Sequence, residues 1–303
     1  MRMKGWSRPW RPLRQGLEPP MSDPQTRQGG APVGPSLWWV GGEATDSADL
    51  RQALAIGGVT CTALRAKEAL ALLQAGRFGV DGVVVEAAVL TGHPGLLRAL
   101  RGTGAPLVLL LEVEDQAVLA EGVGLGMVGV VRPASPEALR AALRQPGGEL
   151  ATSAGSTFPF RTLGDVASLS LLAAALCPDP AVVQIGLSEL MVNAVEHGNL
   201  GLGFSQKREL MAAGEWRNEV ERLLSLPANA ERFAWLRVEC RPREVRFLIR
   251  DLGGGFDPTP YLDLNAELSV EPYGRGIAVA RMLAFPDLVF LDGGRCVEGV
   301  VRR

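Results

Sequence analysis

The chain has 303 residues, of which 47% are hydrophobic and 21% are charged, and its formal net charge is −2. This composition excludes wholesale disorder and gives no sign of a nucleic-acid-binding surface. No apolar run approaches the roughly 18 residues of a membrane span. We therefore expect a soluble, cytoplasmic protein with no membrane span and no nucleic-acid partner. The four cysteines are far apart among apolar neighbours, so we expect buried free thiols in a reducing cytoplasm.

Residues 1–35 combine basic side chains with tryptophans and prolines, and no hydrophobic stretch follows that could be the core of a signal peptide. We predict a disordered basic arm and assign it no function. Met21 is an alternative start of translation that would shorten this arm.

Short apolar runs alternate with helical stretches between residues 36 and 148. Strands are predicted at residues 37–40, 60–64, 83–85, 107–111 and 129–131, and helices at 50–56, 66–73, 96–100, 117–119 and 138–143. Short apolar strands separated by helices are typical of a parallel sheet covered on both faces. We therefore predict a doubly wound α/β domain that ends at the linker Pro146-Gly147-Gly148.

Residues 149–303 have a different pattern, with consecutive helices followed by consecutive strands. Strands are predicted at 156–160, 234–239, 245–251, 288–291 and 297–301, and helices at 163–176, 181–196, 206–226 and 277–283. Asp179 can cap the second helix, and Pro180 suits its first turn. This order predicts an α+β domain with helices on one side of a mixed sheet.

Three polar residues of the second of these helices, Glu189, Asn193 and His197, are spaced four apart, so their side chains form one ridge beside the apolar face. An Asn carbonyl oxygen is a suitable ligand for Mg²⁺. A carboxylate one turn earlier can orient or deprotonate an attacking hydroxyl or water. The spacing therefore puts a base and a metal ligand in one site.

Two glycine-rich motifs follow in the same domain. Asp251 comes at a strand end before Gly253 and Gly255, where it can hydrogen-bond an amino-bearing ring edge while the backbone approaches a ligand closely. Gly274-Arg275-Gly276 opens the helix that continues from Ile277, and backbone N–H groups at a helix start form an anion site.

The three motifs, in this order, resemble those of the GHKL ATPase family. The residues that match are Glu189, Asn193, His197 and Gly198 for the N box, Asp251, Gly253 and Gly255 for the first glycine box, and Gly274 and Gly276 for the second. The resemblance covers residues 149–303 and implies a Bergerat-type ATP-binding sandwich. The short segment 258–272 and the Asn-Ala-x-x-His-Gly form of the N box are most similar to anti-sigma factor serine kinases.

This resemblance implies ATP and Mg²⁺ as cofactors. It implies that Asn193 binds Mg²⁺, that Glu189 is the catalytic base and that Asp251 binds the adenine amino group. His197 and the glycines at 253, 255, 274 and 276 would shape the nucleotide pocket, and Arg275 would be placed for a phosphate. The implied partner is a signalling protein substrate, such as an anti-anti-sigma protein or a sigma factor, and a homodimer is implied as well.

Three functions remain open at this point. The first is an ATP-dependent protein serine/threonine kinase that acts as a partner-switching regulator. The second is a histidine-kinase-like catalytic subunit acting in trans, since no helix pair carrying an acceptor histidine precedes the ATP domain and His93 lies in a loop. The third is a non-catalytic module whose partner affinity changes when ATP binds.

The first domain resembles a response-regulator receiver, which needs a phosphorylatable Asp after its third strand. Glu86 stands at that point, Glu112 follows the fourth strand and Arg132-Pro133 follows the fifth. We therefore predict a pseudo-receiver that serves for dimerisation or partner recognition. A constitutive mimic of phosphorylation by Glu86 is the alternative.

A charged segment between Asn199 and Phe233 is longer than a minimal anti-sigma kinase needs. Its apolar residues follow a helical repeat, which predicts one helix over 206–226. The segment either packs on its own domain or forms a partner-docking surface.

Overall fold

The computed structural model describes residues 34–42, 47–93, 95–144, 155–259 and 275–303. Its strands are β1 (Ser36–Val40), β2 (Thr60–Leu64), β3 (Gly82–Glu86), β4 (Leu107–Leu111), β5 (Val128–Val131), β6 (Ser156–Phe160), β7 (Ala234–Arg241), β8 (Glu244–Arg250), β9 (Val289–Leu291) and β10 (Cys296–Arg302). Its α-helices are α1 (Ala48–Ile56), α2 (Ala66–Gln74), α3 (Leu96–Arg101), α4 (Gln116–Leu125), α5 (Pro136–Arg144), α6 (Leu163–Ala174), α7 (Pro180–Asn193), α8 (Phe204–Ala213), α9 (Trp216–Ser225) and α10 (Gly276–Leu283). The strands form one sheet in the order β2-β1-β3-β4-β5-β6-β7-β8-β10-β9.

The amino-terminal half of the sheet is parallel from β2 to β5. The order β2-β1-β3-β4-β5 is one of the common doubly wound arrangements. Leu54 of α1 and Leu139 of α5 pack into one core, whereas Leu97 of α3 and Leu119 of α4 pack into the other. The predicted doubly wound parallel sheet with helices on both faces is therefore confirmed.

The carboxyl-terminal half of the sheet is antiparallel from β6 to β9. Leu169 of α6, Leu187 of α7 and Ala280 of α10 pack with Phe247 of β8 on one face. Charged residues pair on the strands themselves, with Arg246 Nη1 3.2 Å from Glu298 Oε1 on the neighbouring strand. The helices lie on one side of these strands, as predicted. The strands of this half pair antiparallel with one another, whereas a mixed sheet was predicted.

The two halves share one continuous sheet, because β5 pairs with β6 in parallel at Val128 and Thr157. The Ser156 hydroxyl accepts from the Met127 N–H at 3.1 Å and donates to a carbonyl of α4. A β-carbon at Gly129 would lie 2.2 Å from the Phe158 ring, so the missing side chain makes room for that ring. The linker predicted at 146–148 lies outside the described residues.

Two predicted helices differ from the structure. The charged segment 206–226 forms two helices, because Gly214, at φ 75°, ends α8 in the left-handed conformation that glycine favours. Helix α7 begins at Pro180, with Asp179 Oδ1 accepting from the Val182 N–H at 3.3 Å as the capping pattern predicts. It ends at Asn193 and continues as a π-helical turn, Ala194–Asn199, instead of running as an α-helix to residue 196.

No helix within the described ranges is both long enough and apolar enough to cross a membrane. All four cysteines are free thiols, as predicted; Cys177 and Cys296 are buried and the other two are half-buried. Burial raises the pKa of the Cys177 thiol to about 12 and the pKa of Cys296 to about 11. The predicted arm lies outside the described residues except for its last two positions.

Candidate functional site

A cavity of about 780 Å³ lies between α7, the carboxyl end of β8 and the start of α10. This volume falls within the range of small-molecule sites. The predicted site residues that line it are Glu189, Asn193, His197, Asp251, Gly255, Arg275 and Gly276. Gly253 is not among the lining residues, and Gly274 lies outside the described part of the chain.

Helices α7 and α10 bring Glu189, the predicted base, and Asn193, the predicted metal ligand, to the start of α10. A β-carbon at Gly186 would lie 2.6 Å from the Ala284 β-carbon, so the missing side chain lets the two helices approach closely. One helical turn later on α7, Glu189 faces Gly276, the first residue of α10. Asn193 is the last residue of α7 and faces the same glycine. The cluster therefore joins a carboxylate, an amide and a helix amino terminus.

Asp251 lies directly after β8, where two glycines enclose its carboxylate. A β-carbon at Gly198 would lie 2.4 Å from the Asp251 Cγ, and one at Gly253 would lie 2.4 Å from the Gly198 carbonyl oxygen. The Gly253 N–H donates to Asp251 Oδ1 at 2.7 Å. Burial raises the pKa of the Asp251 carboxyl above its ordinary value, and the hydrogen bond from Gly253 opposes this rise. Gly253 thus supports Asp251 from behind the cavity wall.

Gly255 adopts φ 79°, and a β-carbon there would lie 2.1 Å from the Gly293 carbonyl oxygen. The Phe256 N–H donates to that same oxygen at 3.0 Å. The Phe256 ring meets Phe290 edge-on, with 5.4 Å between centroids, and both rings line the cavity. The sequence motif predicts Gly255, whereas Phe290 was missed because its partner is distant in the chain.

His197 belongs to the π-helical turn that follows Asn193. Its Nδ1 lies 2.5 Å from the Leu202 carbonyl oxygen, so Nδ1 carries the proton and Nε2 is left as an acceptor when the ring is neutral. Its side chain lines the cavity. Single π-helical turns within α-helices occur frequently at functional sites.

Glu196, in the same turn, is a fully buried carboxylate that the sequence analysis does not single out. Its Oε1 accepts from the Trp216 indole N–H at 2.8 Å, and its Oε2 lies 2.6 Å from Lys207 Nζ. Lys207 also lies over the Trp216 ring, 5.8 Å from the centroid. Trp216 and Lys207 are visible in the sequence of the inserted segment, but their spacing from Glu196 does not indicate that they contact it.

The inserted segment forms one wall of the cavity. Phe204, Lys207 and Met211 of α8 and Trp216 of α9 are lining residues. Through Glu196, the segment packs on its own domain, which is one of the two alternatives that the sequence leaves open.

A second polar cluster lies at the carboxyl end of β3. Glu86 Oε1 accepts from the Trp39 indole N–H at 2.7 Å and from the Ser47 hydroxyl. The Arg132 guanidinium lies 3.8 Å from the same oxygen and 3.0 Å from Glu112 Oε1. The Glu86 carboxylate is therefore engaged by three side chains.

Comparisons with known proteins leave the family open. No family model and no curated protein matches the chain. A solved structure that is similar in part is full-length FixJ from B. japonicum, at 18% sequence identity and a TM-score of 0.32. The match covers 65% of this chain and 93% of that chain. Likeness at this level carries no functional argument, so the proposals below rest on the cavity and its residues.

Proposed function

We propose that this chain is an ATP-binding signalling protein, namely a protein serine/threonine kinase of the anti-sigma, partner-switching type. The observation that carries the proposal is that Glu189, Asn193 and Gly276 line the same cavity as Asp251. Those residues belong to three motifs that are far apart in sequence and resemble the GHKL family. A common cavity is what a shared nucleotide site requires.

Asp251 would bind the adenine ring of the nucleotide. A half-buried carboxylate beside glycines can accept a hydrogen bond from the 6-amino group of a purine, because a carboxylate offers only acceptors. The Phe256 and Phe290 rings supply apolar surface on the cavity wall. Aromatic side chains beside one polar group are typical of sites that recognise a planar ring.

The start of α10 would bind the phosphates. The first N–H groups of a helix have no intrahelical partner, and the helix dipole favours an anion there. Gly276 carries no side chain that would cover these groups, and Arg275 lines the cavity beside it. Asn193 Oδ1 fits a hard cation, and bound Mg²⁺ would neutralise phosphate charge.

Glu189 would act as the catalytic base. Its carboxylate lies against Gly276, at the end of the cavity where the phosphates would bind. In phosphoryl transfer to a serine or threonine, the carboxylate accepts the proton of the attacking hydroxyl. The remaining groups position the nucleotide and offset its charge.

The amino-terminal half would serve as a pseudo-receiver for dimerisation or partner recognition. A Glu that already accepts hydrogen bonds from Trp39 and Ser47 replaces the phosphorylatable Asp. The alternative, in which Glu86 mimics phosphorylation, predicts that Glu86→Gln changes partner binding or activity. If Glu86→Gln changes neither partner binding nor activity, the mimic is refuted, and dimerisation or partner recognition remains as the role of this half.

The first test is calorimetric titration of Mg²⁺-ATP into the full chain and into Asn193→Ala, with Asn218→Ala, an exposed residue of α9, as the control. We expect saturable binding by the wild type and the control, and loss of that binding in Asn193→Ala. A folded wild-type protein that binds no nucleotide would contradict the proposal.

The second test separates catalysis from binding. Glu189→Gln is expected to abolish phosphoryl transfer and to spare nucleotide binding. A pure binding switch would instead show no transfer in the wild type. Acid stability of a phosphoprotein product would distinguish phosphoserine from the phosphohistidine of a histidine-kinase-like subunit.

A further inference from the structure

Asn199 is a buried amide at the end of the π-helical turn, and both arms of its side chain are bonded. Its Oδ1 accepts from the Leu252 N–H at 2.9 Å, and its Nδ2 donates to the Arg232 carbonyl at 3.0 Å. Leu252 directly follows Asp251, and Arg232 directly precedes Phe233. Asn199 itself is not among the residues that line the cavity.

The first arm fixes the backbone beside Asp251. The Asp251 N–H donates to the Arg295 carbonyl at 3.1 Å, and the Gly253 N–H donates to the Asp251 carboxylate at 2.7 Å. With the bond from the Leu252 N–H to Asn199, the N–H groups of residues 251, 252 and 253 all have acceptors. Without Asn199 the Leu252 N–H would lose its acceptor at 2.9 Å, so we expect this segment to rearrange.

The second arm leads to the amino-terminal half. Phe233 is buried in a core cluster whose other buried members lie between residues 37 and 142. The Arg161 guanidinium stacks over the Phe233 ring, 5.9 Å from its centroid, and donates to the Leu224 carbonyl at the end of α9. Phe233 is therefore fixed by the packing of the amino-terminal core.

We propose that Asn199 is a positioning residue that sets the Asp251 carboxylate for recognition of a 6-aminopurine and joins it to the amino-terminal core through Phe233. The inference rests on the proposed nucleotide-binding function. Asn199, although it lies outside the cavity, would then determine how strongly the site prefers a 6-amino over a 6-oxo purine nucleotide. It also gives the amino-terminal half a physical connection of two hydrogen bonds to the nucleotide site.

The test compares the dissociation constants of ATP and ITP for the full chain, because ITP has an oxygen in place of the 6-amino group. We expect the wild type to bind ATP more tightly than ITP. In Asn199→Ala, the ratio of the ITP to the ATP dissociation constant should fall by about tenfold. Asn218→Ala, which removes an exposed amide bonded to Glu215, is the matched control and should keep the preference. A general loss of stability would not change the ratio of the two constants.

Asn199→Asp keeps the acceptor for the Leu252 N–H and removes the donor to Arg232. It is expected to lower the preference for ATP by about as much as Phe233→Leu and by less than Asn199→Ala, because only the bond towards Phe233 is lost. A wild-type preference in Asn199→Asp would refute the connection through Arg232, and a complete loss of the preference would refute the role of the Leu252 bond, even if Asn199→Ala does not fold. A wild type that binds neither nucleotide would refute the proposed function and this inference with it. A wild type that discriminates, beside an Asn199→Ala variant that discriminates equally, would refute the inference alone.

Phe233→Leu tests the connection to the amino-terminal core. It is expected to lower the preference for ATP, and to add nothing to Asn199→Ala in a double-mutant cycle, because both act on one path. Leu54→Val loosens the same core cluster at α1 without changing Phe233, and it should leave the preference unchanged. Additive effects, or an equal effect of Leu54→Val, would refute the connection.

Discussion

Gly276 faces Glu189 so closely that a β-carbon at position 276 would lie 2.5 Å from Glu189 Oε2. That β-carbon would also lie 3.5 Å from the Asn193 side-chain nitrogen. A glycine at the start of α10 therefore leaves room for the carboxylate that we propose as the base. The carboxylate is the flexible partner in this contact, so an added methyl group would move it instead of moving the helix.

Gly276→Ala is predicted to lower ATP turnover by about 10²-fold, because a displacement of the order of 1 Å can cost that much. The dissociation constant for ATP should change less than the turnover number. The free energy of unfolding should stay near the wild-type value, since alanine suits a helix. Steady-state kinetics and urea unfolding of the same preparation measure all three quantities.

The control for this variant is Gly124→Ala in α4, where an added β-carbon would meet nothing within 4 Å. It should leave turnover unchanged. Wild-type turnover in Gly276→Ala would show that the position of the Glu189 carboxylate does not limit the reaction.

Much of this site could be predicted because its residues form local motifs. The four-residue spacing of Glu189 and Asn193 places both on one helix face, and Asp251 ends a clear apolar strand. What brings these motifs together could not be predicted in the same way. The approach of α7 to α10 depends on Gly186 meeting Ala284, a long-range contact without a local pattern.

The ion pair between Glu196 and Lys207 is predicted to stabilise the inserted helices on the domain. Lys207→Met would leave the Glu196 carboxylate buried without its counter-charge, which typically costs about 3–5 kcal/mol. Glu196→Gln combined with Lys207→Met should recover most of that loss, because the buried charge is gone and the glutamine oxygen can still accept from Trp216. Urea unfolding of the single and double variants measures the difference.

Arg144→Met is the matched control, because Arg144 pairs with Glu231 at 2.6 Å but their side chains are 64% and 53% exposed. Exposed pairs contribute at most about 1 kcal/mol. Should Lys207→Met cost no more than Arg144→Met, the inserted helices would not depend on this pair.

The raised pKa of Asp251 predicts a pH dependence of nucleotide binding. Protonation of the carboxylate weakens its acceptance from an amino group and adds an O–H donor, so affinity should fall as the pH falls through the pKa of Asp251. Because burial raises this pKa, the fall should begin at a higher pH than the roughly 3.9 of an ordinary Asp would give. Calorimetry from neutral to mildly acidic pH should show this fall in the wild type and its absence in Asp251→Asn.

Asp251 also affects the free energy of unfolding, and its effect on stability is opposite in sign to its effect on nucleotide affinity. A carboxyl whose pKa is raised by folding contributes stability below its unfolded pKa, and that contribution is lost as the pH rises through the folded pKa. Asp251→Asn should therefore stabilise the unliganded protein at neutral pH while it weakens nucleotide binding. An Asn variant that is no more stable than the wild type at any pH would show that the buried charge carries no cost.

The continuous sheet is the feature that the sequence least predicts. Pro146-Gly147-Gly148 has the composition of a linker, which favours separate sheets. The pairing of β5 with β6 depends on Gly129, whose missing side chain is matched to a phenylalanine in the other half of the chain. A single glycine within a strand does not indicate which side chain approaches it.

Gly129→Ala is therefore predicted to destabilise the protein by about 1–3 kcal/mol through overpacking against Phe158. Because Phe158 belongs to the core that both halves share, the loss should appear as one cooperative unfolding transition at lower urea concentration. Phe158→Leu, combined with Gly129→Ala, removes the ring that the new methyl group meets and should cost less than the sum of the two single changes. If Gly129→Ala unfolds at the wild-type midpoint, or if the two changes add, the two halves do not pack against each other at this strand pair.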